Sequence, residues 1–160
     1  MSQLAYDLSF KSFIANAYRK ELEALVYFNS CQTRVWDSIV EAIERFGTPE
    51  IEGHAERLRV VLHKLPEAQC LFAVEPGSGR PVGLAVYVRP DREHLTVLHV
   101  SIAAEFASGG LRCQEQVLLK LLRELRRCGR RVKGIEQMDL YYQAERQRAR
   151  KGNLSINAHS

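Results

Sequence analysis

Between Glu93 and Glu105 the chain carries four side chains able to accept a proton, Glu93, His94, His99 and Glu105. These are residue types from which general bases are drawn. Directly after them comes Ala107-Ser108-Gly109-Gly110-Leu111-Arg112-Cys113, a glycine-bearing loop ahead of a leucine-rich stretch. At a loop-to-helix junction, backbone N–H groups and the helix dipole favour an anion, and glycine lets the backbone approach it closely. An outward-pointing Arg112 adds a cation that can pair with a phosphate. Residues 112–151 hold twelve Lys and Arg against five acids, within a chain of net charge +4. Such a field attracts phosphate-bearing ligands or nucleic acid. It also suits a solvated helix face whose arginine stems cover apolar surface. The four cysteines, Cys31, Cys70, Cys113 and Cys128, form no CxxC and no Cys/His pairing of zinc-finger type, which points to reduced thiols.

The elements that must position these groups follow from periodicity. Leu4, Tyr6 and Leu8 alternate and predict a short first strand over 3–8. From Phe10 to Val26 apolar residues recur at three and four, the stripe of an amphipathic helix. Val35 to Phe46 repeats the pattern, with Gly47 as its C-terminal cap. Thr48-Pro49-Glu50 has the form of a helix start, so a third helix is expected to run to Leu65 before Pro66. Strands are then expected at Cys70–Glu75, Pro81–Arg89 and His94–Ala103, joined by short turns as an antiparallel meander. Val82, Leu84, Val86 and Val88 should share one face of the second of these. Leu95, Val97 and His99 should share one face of the third, which makes His99 a half-buried histidine as readily as a base. A helix lined by Leu111, Val117, Leu118, Leu121, Leu122 and Leu125 should end at Gly129. A strand over 132–142 and a short charged helix over 143–151 complete the reading.

At 160 residues, with 46% hydrophobic and 26% charged, the chain is one domain's worth of sequence and can bury about 70% of its unfolded surface. Five Pro and ten Gly exclude collagen-like and low-complexity classes. No apolar run approaches the roughly 20 residues that span a bilayer, and Asp7 interrupts any signal-peptide core. The expectation is a single cytoplasmic domain over 1–151 with a frayed tail over 152–160 and no membrane contact. Its expected class is α/β in the α+β sense, a mixed and mostly antiparallel sheet flanked by helices, with an extended helical N-terminal portion.

The order strand, helices, meander, glycine-bearing loop, helix, strand resembles the GNAT superfamily of acyl-CoA-dependent N-acetyltransferases, over residues 70–142. That family's loop reads Gln/Arg-x-x-Gly-x-Gly/Ala. Here Glu105 and Phe106 take its preceding Glu-Tyr places, Gly110 its first glycine, and Leu118-Leu119 its paired leucines. Ala107 stands where Gln or Arg belongs, and Arg112 replaces the second glycine. The resemblance implies acetyl-CoA as acyl donor, with its pantetheine arm on the backbone of Val100 and Ile102. Its pyrophosphate would lie on Ser108, Gly109, Gly110, Leu111, Arg112 and Cys113. It implies a primary amine as acceptor and catalytic roles for His99, Glu105 and Tyr142. It also implies that Gly110→Asp harms binding more than folding. The family's usual base position aligns with Thr96, its usual Tyr is missing from 143–151, and its closing hairpin is absent. A second subunit or the N-terminal helices would then shape the acceptor pocket.

Two other readings stand beside the enzyme. One is a non-catalytic module that keeps the fold and binds an acyl-CoA or a protein partner. The other is a nucleic-acid binder using Arg123, Arg126, Arg127, Arg130 and Arg131, whose spacing suits phosphate contacts rather than base stacking. No helix-turn-helix, RNA-recognition or zinc signature supports the latter.

Overall fold

The computed structural model describes residues 7–27, 43–106, 110–112, 115–131 and 135–140. The fold is α+β, and among the described residues it comprises a mixed five-stranded sheet that is mostly antiparallel, a separate two-stranded sheet, and three helices. In chain order the elements are β1 (Ser9–Lys11), α1 (Arg19–Tyr27, entered by a 3-10 turn over Asn16–Tyr18), α2 (43–46), β2 (Pro49–Glu52), β3 (Arg59–Leu62), β4 (Gln69–Val74), β5 (Pro81–Val88), β6 (His94–Ile102), α3 (Val117–Arg131) and β7 (Gln137–Leu140). The large sheet runs β1-β4-β5-β6-β7. Its first three pairings are antiparallel and β6–β7 is parallel. Parallel neighbours need a crossover connection, and α3 supplies it.

The sheet is covered on both faces, and each cover has its own apolar cluster. On one face α1, through Leu22 and Val26, and β3, through Val60 and Leu62, pack on Phe72, Val74, Leu84, Val86 and Leu98. On the other, α3, through Val117, Leu121 and Leu125, packs on Leu71, Ala73, Ala85, Leu95 and Val97. β5, central in the order and buried from Pro81 to Val86, reads as the near-continuous apolar run expected of a strand covered on both sides. Ser101 ties β6 to α1, its buried hydroxyl donating to the Leu25 carbonyl at 2.7 Å. Removing it in Ser101→Ala should cost about 1 kcal/mol, read as a lower urea midpoint with an unchanged slope.

The meander is found where the alternation predicts it, but two bulges change which residues share a face. Between Ala73 and Val74 of β4 the register to β5 shifts, leaving Val82 as an extra residue. Val82 therefore packs with the α3 cluster, apart from Leu84, Val86 and Val88 on the α1 side. Between Val86 and Tyr87 the partner on β6 jumps from His99 to Val97, so Leu98 is the extra residue. A bulge places two residues against one and shifts the alternation by one position. His99 accordingly lies opposite Val86, a member of the α1-side cluster, and Leu95 and Val97 face α3.

The N-terminal region differs most from expectation. Phe10 belongs to β1, opposite Ala73, and the helix starts only after Ile14. The expected third helix is a hairpin, with Pro49 opposite Leu62 and Glu52 opposite Arg59. Pro49 opens its strand, a position where a missing N–H is tolerated. Val60 and Leu62 are buried while Arg59 and Val61 are more exposed, the two-residue period of a strand. Gly47 does cap a helix, donating its N–H to the Ile43 carbonyl. Gly129 does not end one, since α3 continues to Arg131 and the bare Gly129 backbone admits Ile135, whose Cγ2 lies 3.2 Å from where a Cβ would sit. Of the remaining expectations, residues 3–6, 28–42, 141–151 and the tail 152–160 lie outside the described residues.

Candidate functional site

The region singled out by the sequence lies at the C-terminal end of β6, where the chain turns into α3. β6 ends at Ile102, Ala103 donates its N–H to the Val82 carbonyl, and Ala104–Phe106 form a 3-10 turn. The chain then folds back, the Arg112 N–H donating to the Glu105 carbonyl at 2.7 Å. Gly110 passes so close that a Cβ there would lie 2.5 Å from both the Ala104 and the Glu105 carbonyl oxygens. Its open side is filled by the loop's own backbone. Leu111 is 93% exposed, and Leu118 and Leu119, in the first turn of α3, are 40% and 42% exposed. The expected helix start at Leu111 is thus delayed to Val117. Gln116, at a φ of 54°, precedes it and accepts the first helical hydrogen bond, from Lys120.

Of the described candidate catalytic residues, Glu105 stands beside this loop and His99 does not. His99 is buried on the α1 face, and its Nε2 has no hydrogen-bond partner. Burial alone pushes its pKa down to about 4, because desolvation disfavours the imidazolium. Glu105 is held by Arg80, Nη2 to Oε1 at 2.5 Å, and the same guanidinium binds Glu75. Burial, the largest influence on Arg80, favours its neutral form, yet the two carboxylates together outweigh it and raise its pKa further. Arg80 at the start of β5 therefore fastens the β4–β5 turn to the 3-10 turn after β6. It is a residue that the sequence pattern gave no reason to single out. Glu93 and His94 sit at the opposite end of β6, about 26 Å away at 3.3 Å per residue. There Asp91 accepts the His94 N–H at 2.9 Å and faces its ring at 2.8 Å. Hydrogen bonding to Asp91 raises the His94 pKa and anchors the β5–β6 turn.

Of the expected cofactor contacts, Val100 and Ile102 lie on the α3 side of β6, packed against that face's apolar cluster. Arg112 stacks its guanidinium 4.7 Å over the Phe106 ring, so the residue replacing the motif's second glycine is directed onto an aromatic face. Ser108, Gly109, Cys113 and Tyr142 lie outside the described residues. The described ladder between β6 and β7 pairs His94 with Gln137 through Val97 with Leu140, ending one residue before the bulge. The part of the chain that would stand beside Leu98–Ile102 lies outside the described residues.

Two cavities border these elements. One of about 160 Å³ lies between α1 and the β5 start, lined by Glu21, Leu25, Arg80, Pro81, Ala103 and Ala104 among others. The other, of about 310 Å³, lies at the far end of α3. Among the described residues no cluster of His, Cys, Asp and Glu could hold a metal ion, and no helix is long and apolar enough to cross a membrane. Cys70 is a free thiol whose pKa burial raises, consistent with an inert core cysteine. Comparison with protein-family models, with curated proteins and with solved structures finds no match in any of the three.

Proposed function

We propose that the chain is an acyl-CoA-dependent N-acyltransferase, passing an acyl group, acetyl in the simplest case, to a primary amine. The observation that carries this reading is the arrangement of β6, α3 and β7. Two parallel strands are joined through a helix, and β6 carries a bulge at Leu98 and runs on five residues toward the loop before α3. The donor's pantetheine would follow Leu98–Ile102, and its pyrophosphate would meet the N-terminus of α3, where the dipole favours negative charge. The fit is uneven. Gly110 turns its open side to the chain itself, leaving the helix terminus and Arg112 as the described phosphate partners. In the transfer, the amine nitrogen forms a bond to the thioester carbonyl carbon and the carbon–sulfur bond breaks. The ammonium first gives one proton to solvent, and the second proton that nitrogen loses on becoming the amide is matched by the one the departing thiolate takes up.

A non-catalytic acyl-CoA-binding or interaction module is the second reading. One observation favours it: of the named bases, His99 is shut into the core and Glu105 is committed to Arg80. Calorimetry with CoA and with dephosphorylated pantetheine tests the shared element. CoA is expected to bind, more weakly as salt rises, and pantetheine at least about tenfold less tightly, since charge-assisted phosphate contacts are lost. Equal binding of both, or heat from neither, overturns the enzyme and the acyl-CoA-binding module alike and leaves the interaction module. Release of free thiol from acetyl-CoA in the presence of a panel of primary amines selects the enzyme, and binding without release selects the module.

A further inference from the structure

The cavity of about 310 Å³ at the C-terminal end of α3 lies at the other end of the helix from the proposed phosphate site, about 20 Å away at 1.5 Å per residue. Its apolar lining comes from Leu95 of β6, Leu125 of α3, and Ile135 and Met138 at β7. Its charged lining is Arg126 and Arg130, one helical turn apart, with Glu136 opposite in sign. Both arginines are exposed, and among the described residues neither takes an ion pair. Arg127, on the same helix, is instead bound by Glu124 through two hydrogen bonds. The size lies at the lower end of the range of small-molecule sites, and the lining is mixed, with more polar than apolar surface.

Arginines in the last turns of a helix also complement its dipole, which explains basic residues there but not the cavity beside them. We propose that this cavity is a binding site for a small organic monoanion with an apolar body, a carboxylate on a short alkyl or aryl group. Two guanidiniums against one carboxylate leave a single net positive charge at the site. That balance matches a monoanionic carboxylate and leaves the second charge of a phosphate dianion uncompensated beside Glu136. Guanidinium forks match carboxylate geometry, and Leu95, Leu125, Ile135 and Met138 take the hydrocarbon. The proposal accounts for part of the basic stripe on α3 and does not depend on the acyl-CoA reading.

The test is titration of the full chain with octanoate and phenylacetate, followed by calorimetry and by the amide resonances of Gly129 and Gln137. Saturable binding is expected for both acids, with octanol and inorganic phosphate at least about tenfold weaker. Arg126→Gln with Arg130→Gln should lose at least about tenfold in affinity while keeping the thermal midpoint of the parent. Arg123→Gln with Arg127→Gln, which removes the same charge from positions that do not line the cavity, should bind as the parent does. Absence of saturable binding by the parent, octanol binding as well as octanoate, or an equal loss in the two double variants would each overturn the proposal.

Discussion

Lowering the pH from 7 to 4 is expected to cost the fold about 3 kcal/mol through His99 alone. The folded-state pKa of this histidine is about 4, against 6.5 for the free side chain. Between those values the unfolded chain binds a proton that the native chain does not, so stability rises with pH across that window. The contribution is complete above pH 6.5 and is lost progressively as the pH falls toward 4. The cause is geometric. The imidazole is buried, its Nε2 has no acceptor to share a proton with, and charging it would leave an uncompensated cation in the core. Urea midpoints measured every half pH unit should show this slope in the parent. His99→Leu, similar in size and unable to titrate, should flatten it. A slope of the same size in both proteins would show that other groups set the acid sensitivity.

Gly110→Ala is expected to lower stability by about 1–3 kcal/mol, the range for forcing atoms into a filled site. That corresponds to a thermal midpoint lower by roughly 2–4 °C for each kcal/mol in a chain of this size. The added methyl would stand 2.5 Å from two backbone carbonyl oxygens, and backbone cannot swing aside as a flexible side chain does. Gly110→Asp, which the sequence alone marks as a binding variant, should suffer at least as much, with a charge added to the clash. An unchanged melting temperature with lost CoA affinity would restore the reading of Gly110 as a ligand-facing glycine. The opposite pattern makes it a turn residue.

These two residues also show where the sequence was legible and where it was not. Strands β4, β5 and β6 were readable because apolar runs bounded by turn residues leave few alternatives, and their antiparallel meander followed from the short turns, whereas the mixed sheet came with the family resemblance. The hairpin β2–β3 was not, because Thr48-Pro49-Glu50 opens helices and Leu58, Val61, Leu62 and Leu65 fit a helical period. The adjacent β-branched pair Val60-Val61 was the weaker signal that proved correct. The facing of His99 was hidden for a different reason, since the bulge shows in the pattern of β6 only as the adjacent apolar pair Val97-Leu98. Arg80 was invisible because its partners Glu75 and Glu105 lie 5 and 25 residues away, and only folding brings the more distant one near.

The extra residue at Leu98 has a genetic consequence. β6 is spelled in two frames, one before the bulge and another after it, and the sheet counts residues between them. Loss of the Leu98 codon would remove the extra residue and leave Val97, His99, Val100, Ser101 and Ile102 in plain alternation on the faces they already occupy. Plain alternation with Leu98 retained would instead carry His99 and Ser101 round to α3 and turn Val100 and Ile102 toward α1, exchanging the two faces along half a strand. The turn over Pro76–Arg80 faces no such arithmetic, so tolerance of one-residue insertions should fall sharply between that turn and the middle of β6, where loss of Leu98 is the change the sheet can absorb.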